Sequence, residues 1–142
     1  MSLFDVHVIQ LNYRDPVNAR LRQIAELTRR LAKHYLHRDI TVEYFVEPIP
    51  AGLACLDSDC ILLSMPLVQF CSLDAIVSVL RHEITHFKAP GDTGHGRAFY
   101  VAALRWRLTE RWVTYDQRFL RLARIYADLL PPDERAELFQ QT

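Results

Sequence analysis

The sequence predicts an α+β fold. Three observations carry that expectation. Segments with apolar residues three and four apart fill the early part of the chain and its second half. Between them lies a run rich in β-branched and aromatic residues, followed by two short apolar runs. The elements follow one another as helix, strands and helices, without strand–helix–strand alternation. With 142 residues, half of them apolar, the chain suits one domain with its own core.

Residues 4–11 alternate loosely, Phe4, Val6 and Val8 against Asp5 and His7, and read as a short strand or a lead-in. Residues 16–37 read as a helix with Val17, Leu21, Ile24, Leu27, Leu31 and Tyr35 on one face. Asp15 supplies its N-cap and Pro16 its first helical position. The opposite face, with Arg20, Arg22, Arg29, Arg30 and Lys33, is expected to be solvated. Residues 39–47 form a strand that Pro48 and Pro50 stop. Residues 51–56 and 60–64 form two more, paired antiparallel across the turn Asp57-Ser58-Asp59. The expected sheet is therefore small, three-stranded and mainly antiparallel.

Ser72 caps the next helix, with Asp74 in its first turn and Leu73, Ile76, Val77, Leu80, Ile84 and Phe87 as its apolar positions. Pro90-Gly91 stops it near Lys88. After a loop at residues 92–96, a helix over residues 97–111 is expected to bury Phe99, Val101, Ala102, Leu104, Trp106 and Leu108 in part. Another, residues 115–130, ends at Pro131-Pro132, and residues 133–139 add a short one capped by Asp133. Two or three helices thus follow the Ser72 helix.

Seventeen basic and seventeen acidic residues cancel, so net charge offers no argument for a nucleic-acid or membrane partner. The N-terminus has no basic region followed by a long apolar run, and no segment reaches the ~18–20 apolar residues that span a bilayer. A cytoplasmic location is expected. Cys55, Cys60 and Cys71 are odd in number and lack C-x-x-C spacing, which predicts reduced thiols.

The chemistry concentrates in residues 82–86, His-Glu-Ile-Thr-His, an H-E-x-x-H placed on a helix. Positions four apart lie on one face, so His82 and His86 can converge on one tetrahedral Zn2+ ion. Glu83, on the adjacent face, stands where a general base can reach a metal-activated water. The metal needs a third ligand. His95 follows His86 by nine residues, across a turn at Pro90-Gly91-Asp92-Thr93-Gly94, with Gly94 and Gly96 on either side of it. Asp92 and Glu110 are the alternatives. His7, His34 and His37 have no partner at ligand spacing, and Tyr100, Tyr115 and Tyr126 read as core residues.

The segment His82-Glu83-Ile84-Thr85-His86, its following loop and His95-Gly96-Arg97-Ala98-Phe99 resemble the SprT-like, Spartan-type metallopeptidases. Their pattern is H-E-x-x-H, a variable loop, then H-G-x-x-F or H-G-x-x-W. The strand ending Ile61-Leu62-Leu63-Ser64, followed by Met65-Pro66-Leu67, is similar to that family's lead-in. The likeness covers about residues 51–112, and no cysteine follows Cys71 to build the zinc ribbon common in the family. It implies a zincin-like domain in which His82, His86 and His95 bind zinc and Glu83 is the base. The expected function is therefore zinc-dependent hydrolysis of peptide bonds in a peptide or protein substrate. A catalytically silent zinc scaffold is the alternative. DNA association, suggested by the family and by Arg97, Arg105, Arg107 and Arg111, is a secondary expectation. Strand 60–64 is expected to offer an edge to an extended substrate.

Overall fold

The computed structural model describes residues 6–9, 19–92, 94–108 and 114–141. The expected helix start at Asp15-Pro16-Val17, and Glu110 and Arg111, lie outside them.

Helix α1 (Ala19–Leu36) buries Leu21, Ile24, Thr28 and Ala32. These are steps of three and four along one stripe, and the Thr28 hydroxyl is satisfied by the Ile24 carbonyl at 2.8 Å. Strands β2 (Thr41–Phe45), β3 (Gly52–Cys55) and β4 (Cys60–Ser64) follow. The β3–β4 hairpin forms as expected, antiparallel with Gly52 opposite Leu63 and Cys55 opposite Cys60. A 3-10 turn at Leu56–Ser58 and a left-handed Asp59, φ 49°, close it.

The sheet differs from expectation in two respects. A short strand β1 (Val8–Ile9) adds antiparallel to β2, so among the described residues there are four strands in the order β1-β2-β4-β3. In addition, β4 pairs parallel with β2, Thr41 beside Cys60 and Phe45 beside Ser64, so the sheet is mixed. The chain leaves β2, runs β3 along the far edge and returns through the middle. β4 is consequently buried at all five positions, as a strand covered on both faces and bonded on both sides must be. It cannot offer an edge to a substrate. Of the β3–β4 hairpin, β3 is the edge strand.

Val42, Tyr44, Ile61 and Leu63 point to the face that carries α1 and α3 (Leu73–Lys88), where they join Ile24, Ile76, Leu80 and Ile84 in the main core. Phe45, Cys60 and Leu62 point the other way, into a smaller cluster with Val6, Leu53 and Cys55. β4 runs straight into a short helix α2 (Met65–Phe70), for which the sequence pattern assigns no element. The Ser64 hydroxyl makes that junction: it accepts from the Leu67 N–H at 3.5 Å and donates to the Glu47 carbonyl at 2.7 Å.

Ser72 caps α3 through the Ala75 N–H, as expected. Among the described residues, three helices come after it: α4 (Arg97–Arg105), α5 (Gln117–Asp128) and α6 (Pro132–Gln141). α4 stops short of the predicted Arg111. It buries Phe99, Ala102 and Ala103, whereas Val101, Leu104 and Trp106, expected to be partly buried, are exposed. Among the described residues, no helix is long and apolar enough to cross a membrane.

Gly52 sets the distance between β3 and α3. A Cβ there would stand 2.8 Å from Val79 Cγ1, 3.2 Å from the Leu62 carbonyl oxygen and 3.3 Å from Glu83 Cγ. The helix therefore lies directly on this edge strand, with Glu83 beneath it. Gly52→Ala is expected to destabilise the fold by about 1–3 kcal/mol through overpacking, read as a lower urea midpoint. An unchanged midpoint would show that α3 does not depend on this close approach.

Candidate metal centre

The centre is built on α3. Ile76, Leu80 and Ile84 are fully buried and lock the rotation of the helix. With 3.6 residues per turn, that rotation sends His82 and His86 to the same side. The chain then turns at residues 89–92, where the Asp92 N–H donates to the Ala89 carbonyl at 3.0 Å, and brings His95 back over them. The Nε2 atom of His95 lies 2.9 Å from Nε2 of His82 and 3.1 Å from Nε2 of His86. One ligand nitrogen from each residue falls within 4.8 Å of the others. Three imidazoles on a tetrahedral zinc at Zn–N about 2.0–2.1 Å hold their nitrogens roughly 3.3 Å apart. The two separations from His95 are within a few tenths of an ångström of that, and all three nitrogens lie within 4.8 Å of one another, so these residues fit a zinc ion after modest side-chain adjustment.

Phe99 forms the floor. Its ring centroid lies 5.0 Å from His82, 4.7 Å from His86 and 4.8 Å from His95, and the side chain is buried. One aromatic ring on the first turn of α4 thus touches all three imidazoles and limits their rotation.

Asp92 has a different task from the one weighed for it. Its Oδ1 accepts from the Gly96 N–H at 2.8 Å and its Oδ2 from the Phe99 N–H at 3.0 Å. Both oxygens bond the open end of α4, so Asp92 caps the helix, and the cluster of convergent ligand atoms contains the three histidines without it. The same two N–H groups hold its carboxyl below the usual carboxylate range. Gly96 makes room: a Cβ there would stand 2.9 Å from Asp92 Oδ2. Glu110, the other alternative ligand, lies outside the described residues.

The glycines beside His95 act otherwise than their freedom suggested. Neither takes a positive φ, and the left-handed residue is His95 itself, at φ 57°. Histidine tolerates that region better than most residues, although at some cost. The Asp92 bonds to Gly96 and Phe99 anchor the chain just beyond that strained position.

His86 is buried, while His82 and His95 are half-buried. Burial first, and then the neighbouring His82 and His95, push the His86 imidazole down from 6.5 to about 4, against a smaller opposing pull from Asp92. The ring is therefore neutral near pH 7, as a metal ligand must be. Glu83 is buried as well, at 3% exposure, on the side of α3 that faces Gly52.

Sequence reasoning missed the roles of Phe99 and Asp92. Asp92 lies four residues before the N-cap Gly96, outside the usual capping position, and Phe99 was marked only as the last residue of the H-G-x-x-F pattern, without a structural role.

Asp92→Ala is expected to free the His95 turn and weaken zinc binding by about tenfold or more, as measured by competition with a chromophoric chelator; unchanged affinity would mean that the cap does not position His95. A pH effect also follows in the metal-free protein. The unfolded chain protonates His86 near 6.5 and the folded chain only near 4, so protons favour unfolding. This contribution to stability is complete above about pH 6.5 and is lost as pH falls from there towards 4. The urea midpoint should decline across that window, and less steeply in His86→Gln; equal slopes would contradict the assignment. Comparison with family models, with curated proteins and with solved structures gives no match, so the chemistry of this centre stands on its own residues.

Proposed function

We propose that the chain is a zinc-dependent metallopeptidase of SprT-like type with a zincin-like domain. One observation carries the reading: His82, His86 and His95 bring one imidazole nitrogen each within 4.8 Å of the others, as a three-histidine metal site requires, with a buried carboxylate one residue after the first of them. His82, His86 and His95 would hold the ion. Zinc in such a site supplies Lewis acidity, making water acidic near neutral pH and polarising a carbonyl. Glu83 takes the proton from the attacking water and delivers it to the departing amine nitrogen. Its burial on a packed helix holds the carboxylate in place and keeps bulk water from competing for it. A silent zinc scaffold needs no such group. The DNA-associated reading draws on exposed Arg97, Arg105 and Arg107, whose charge is also suited to an acidic polypeptide.

Glu83→Gln preserves shape and removes the base. It should keep zinc at the wild-type stoichiometry and lower hydrolysis of an unfolded protein substrate by about 10²–10⁴-fold. Chelation should abolish activity and added zinc restore it. If the zinc-loaded wild type cleaves neither peptides nor unfolded proteins, the scaffold reading takes its place.

A further inference from the structure

α4 starts at the metal centre and carries an unexpected surface away from it. Tyr100, Val101 and Leu104 are 60%, 51% and 69% exposed. Spaced one and three apart, they form one strip on the side opposite Phe99, Ala102 and Ala103. Trp106, also exposed, follows at the end of the helix. The strip is joined to the triad by contact: the Tyr100 ring lies 5.7 Å from Phe99, which touches all three imidazoles.

The charged residues of α4 itself are all basic. From Arg97 to Leu108 the sequence carries Arg97, Arg105 and Arg107 and no Asp or Glu. Lys88 adds its ammonium, 3.7 Å over the Trp106 ring. Of the acidic residues that flank this segment in sequence, Asp92 is engaged with the backbone of α4 and Glu110 lies outside the described residues. Apolar side chains flanked by cations on a chain of zero net charge match a partner of opposite pattern.

We propose that this face of α4 is the docking strip for the substrate, and that it selects polypeptide segments in which apolar residues alternate with Asp or Glu. The proposal rests on the peptidase reading and names its substrate class. The dimensions agree with it. Phe99 and Leu104 are about 7.5 Å apart along the axis of α4 and on nearly opposite sides of a helix about 10 Å across, a path that an extended peptide covers in roughly four to six residues. Leu104 therefore receives an apolar side chain about four to six residues from the scissile bond, while Arg97 and Arg105 pair with its acidic neighbours.

The test uses zinc-loaded Glu83→Gln protein, in which binding is read without turnover. A labelled short peptide of alternating Leu and Glu is compared by fluorescence anisotropy with one carrying Lys in place of Glu. The acidic peptide should bind about tenfold or more tightly, with a preference that shrinks at high salt. Tyr100→Ser and Leu104→Ser, both at exposed positions, should each weaken it by about tenfold with melting temperature and zinc content unchanged. Arg97→Glu combined with Arg105→Glu should reverse the charge preference. Equal binding of the two peptides, or variants that bind like the parent, overturns the proposal. So does a homodimer in sedimentation that Leu104→Ser dissociates, because a second copy then covers the strip. The two readings fail separately. Charge-selective binding without wild-type cleavage removes the peptidase and keeps the strip, whereas cleavage without selectivity removes the strip alone.

Discussion

The seating of α3 on the sheet is the constraint from which the rest follows. Ile76, Leu80 and Ile84 press one side of the helix into the core formed by α1, β2 and β4, and Gly52 lets β3 come close to it at Val79 and Glu83. Once that face is fixed, helical periodicity leaves no choice about the others. His82 and His86 project together towards α4, and Glu83 is turned beneath the edge strand. The same burial that stabilises the fold therefore orients the groups that carry chemistry. Core and site cannot be altered independently here: a change at Gly52 or Val79 acts on both.

The second half of the centre is held by polar bonds. Asp92 ties the start of α4 to the end of the preceding turn, and Arg81, the residue before His82, donates to the Arg107 carbonyl at the exit of α4. α4 is thus fastened to the α3 side at both ends. Between those points it presents Phe99 inward to the imidazoles and Tyr100, Val101 and Leu104 outward. The left-handed backbone of His95 persists because the chain on either side of it is fixed, which is how strained conformations survive at sites.

What the sequence made legible were features whose cause is local. The Ser72 cap, the apolar stripe through Ile84 and the stop at Lys88 all follow from contacts within a few residues, and so does the hairpin across Asp57-Ser58-Asp59. The convergence of His82, His86 and His95 was also legible, because two ligands share a helix face and the third follows after one short turn. The parallel pairing of β2 with β4 was not, since no residue pattern in either strand encodes its distant neighbour. α2 was overlooked although Ser64 and Pro66 are a regular helix start; the apolar run of β4 continues into it and hides the boundary. The exposure of Val101 and Leu104 was misjudged for a related reason. Apolar residues almost all round α4 suit burial, and the sequence does not reveal which face lacks a neighbour.

The central claim is that the three imidazoles form one zinc site. X-ray absorption spectroscopy of the zinc-loaded protein tests it most directly, with His95→Ala as the control. The account predicts three imidazole scatterers per zinc at about 2.0–2.1 Å with a lighter ligand completing the shell, and the loss of one imidazole in His95→Ala. A shell with two imidazoles and a protein carboxylate, or the same spectrum in the wild type and His95→Ala, would contradict it.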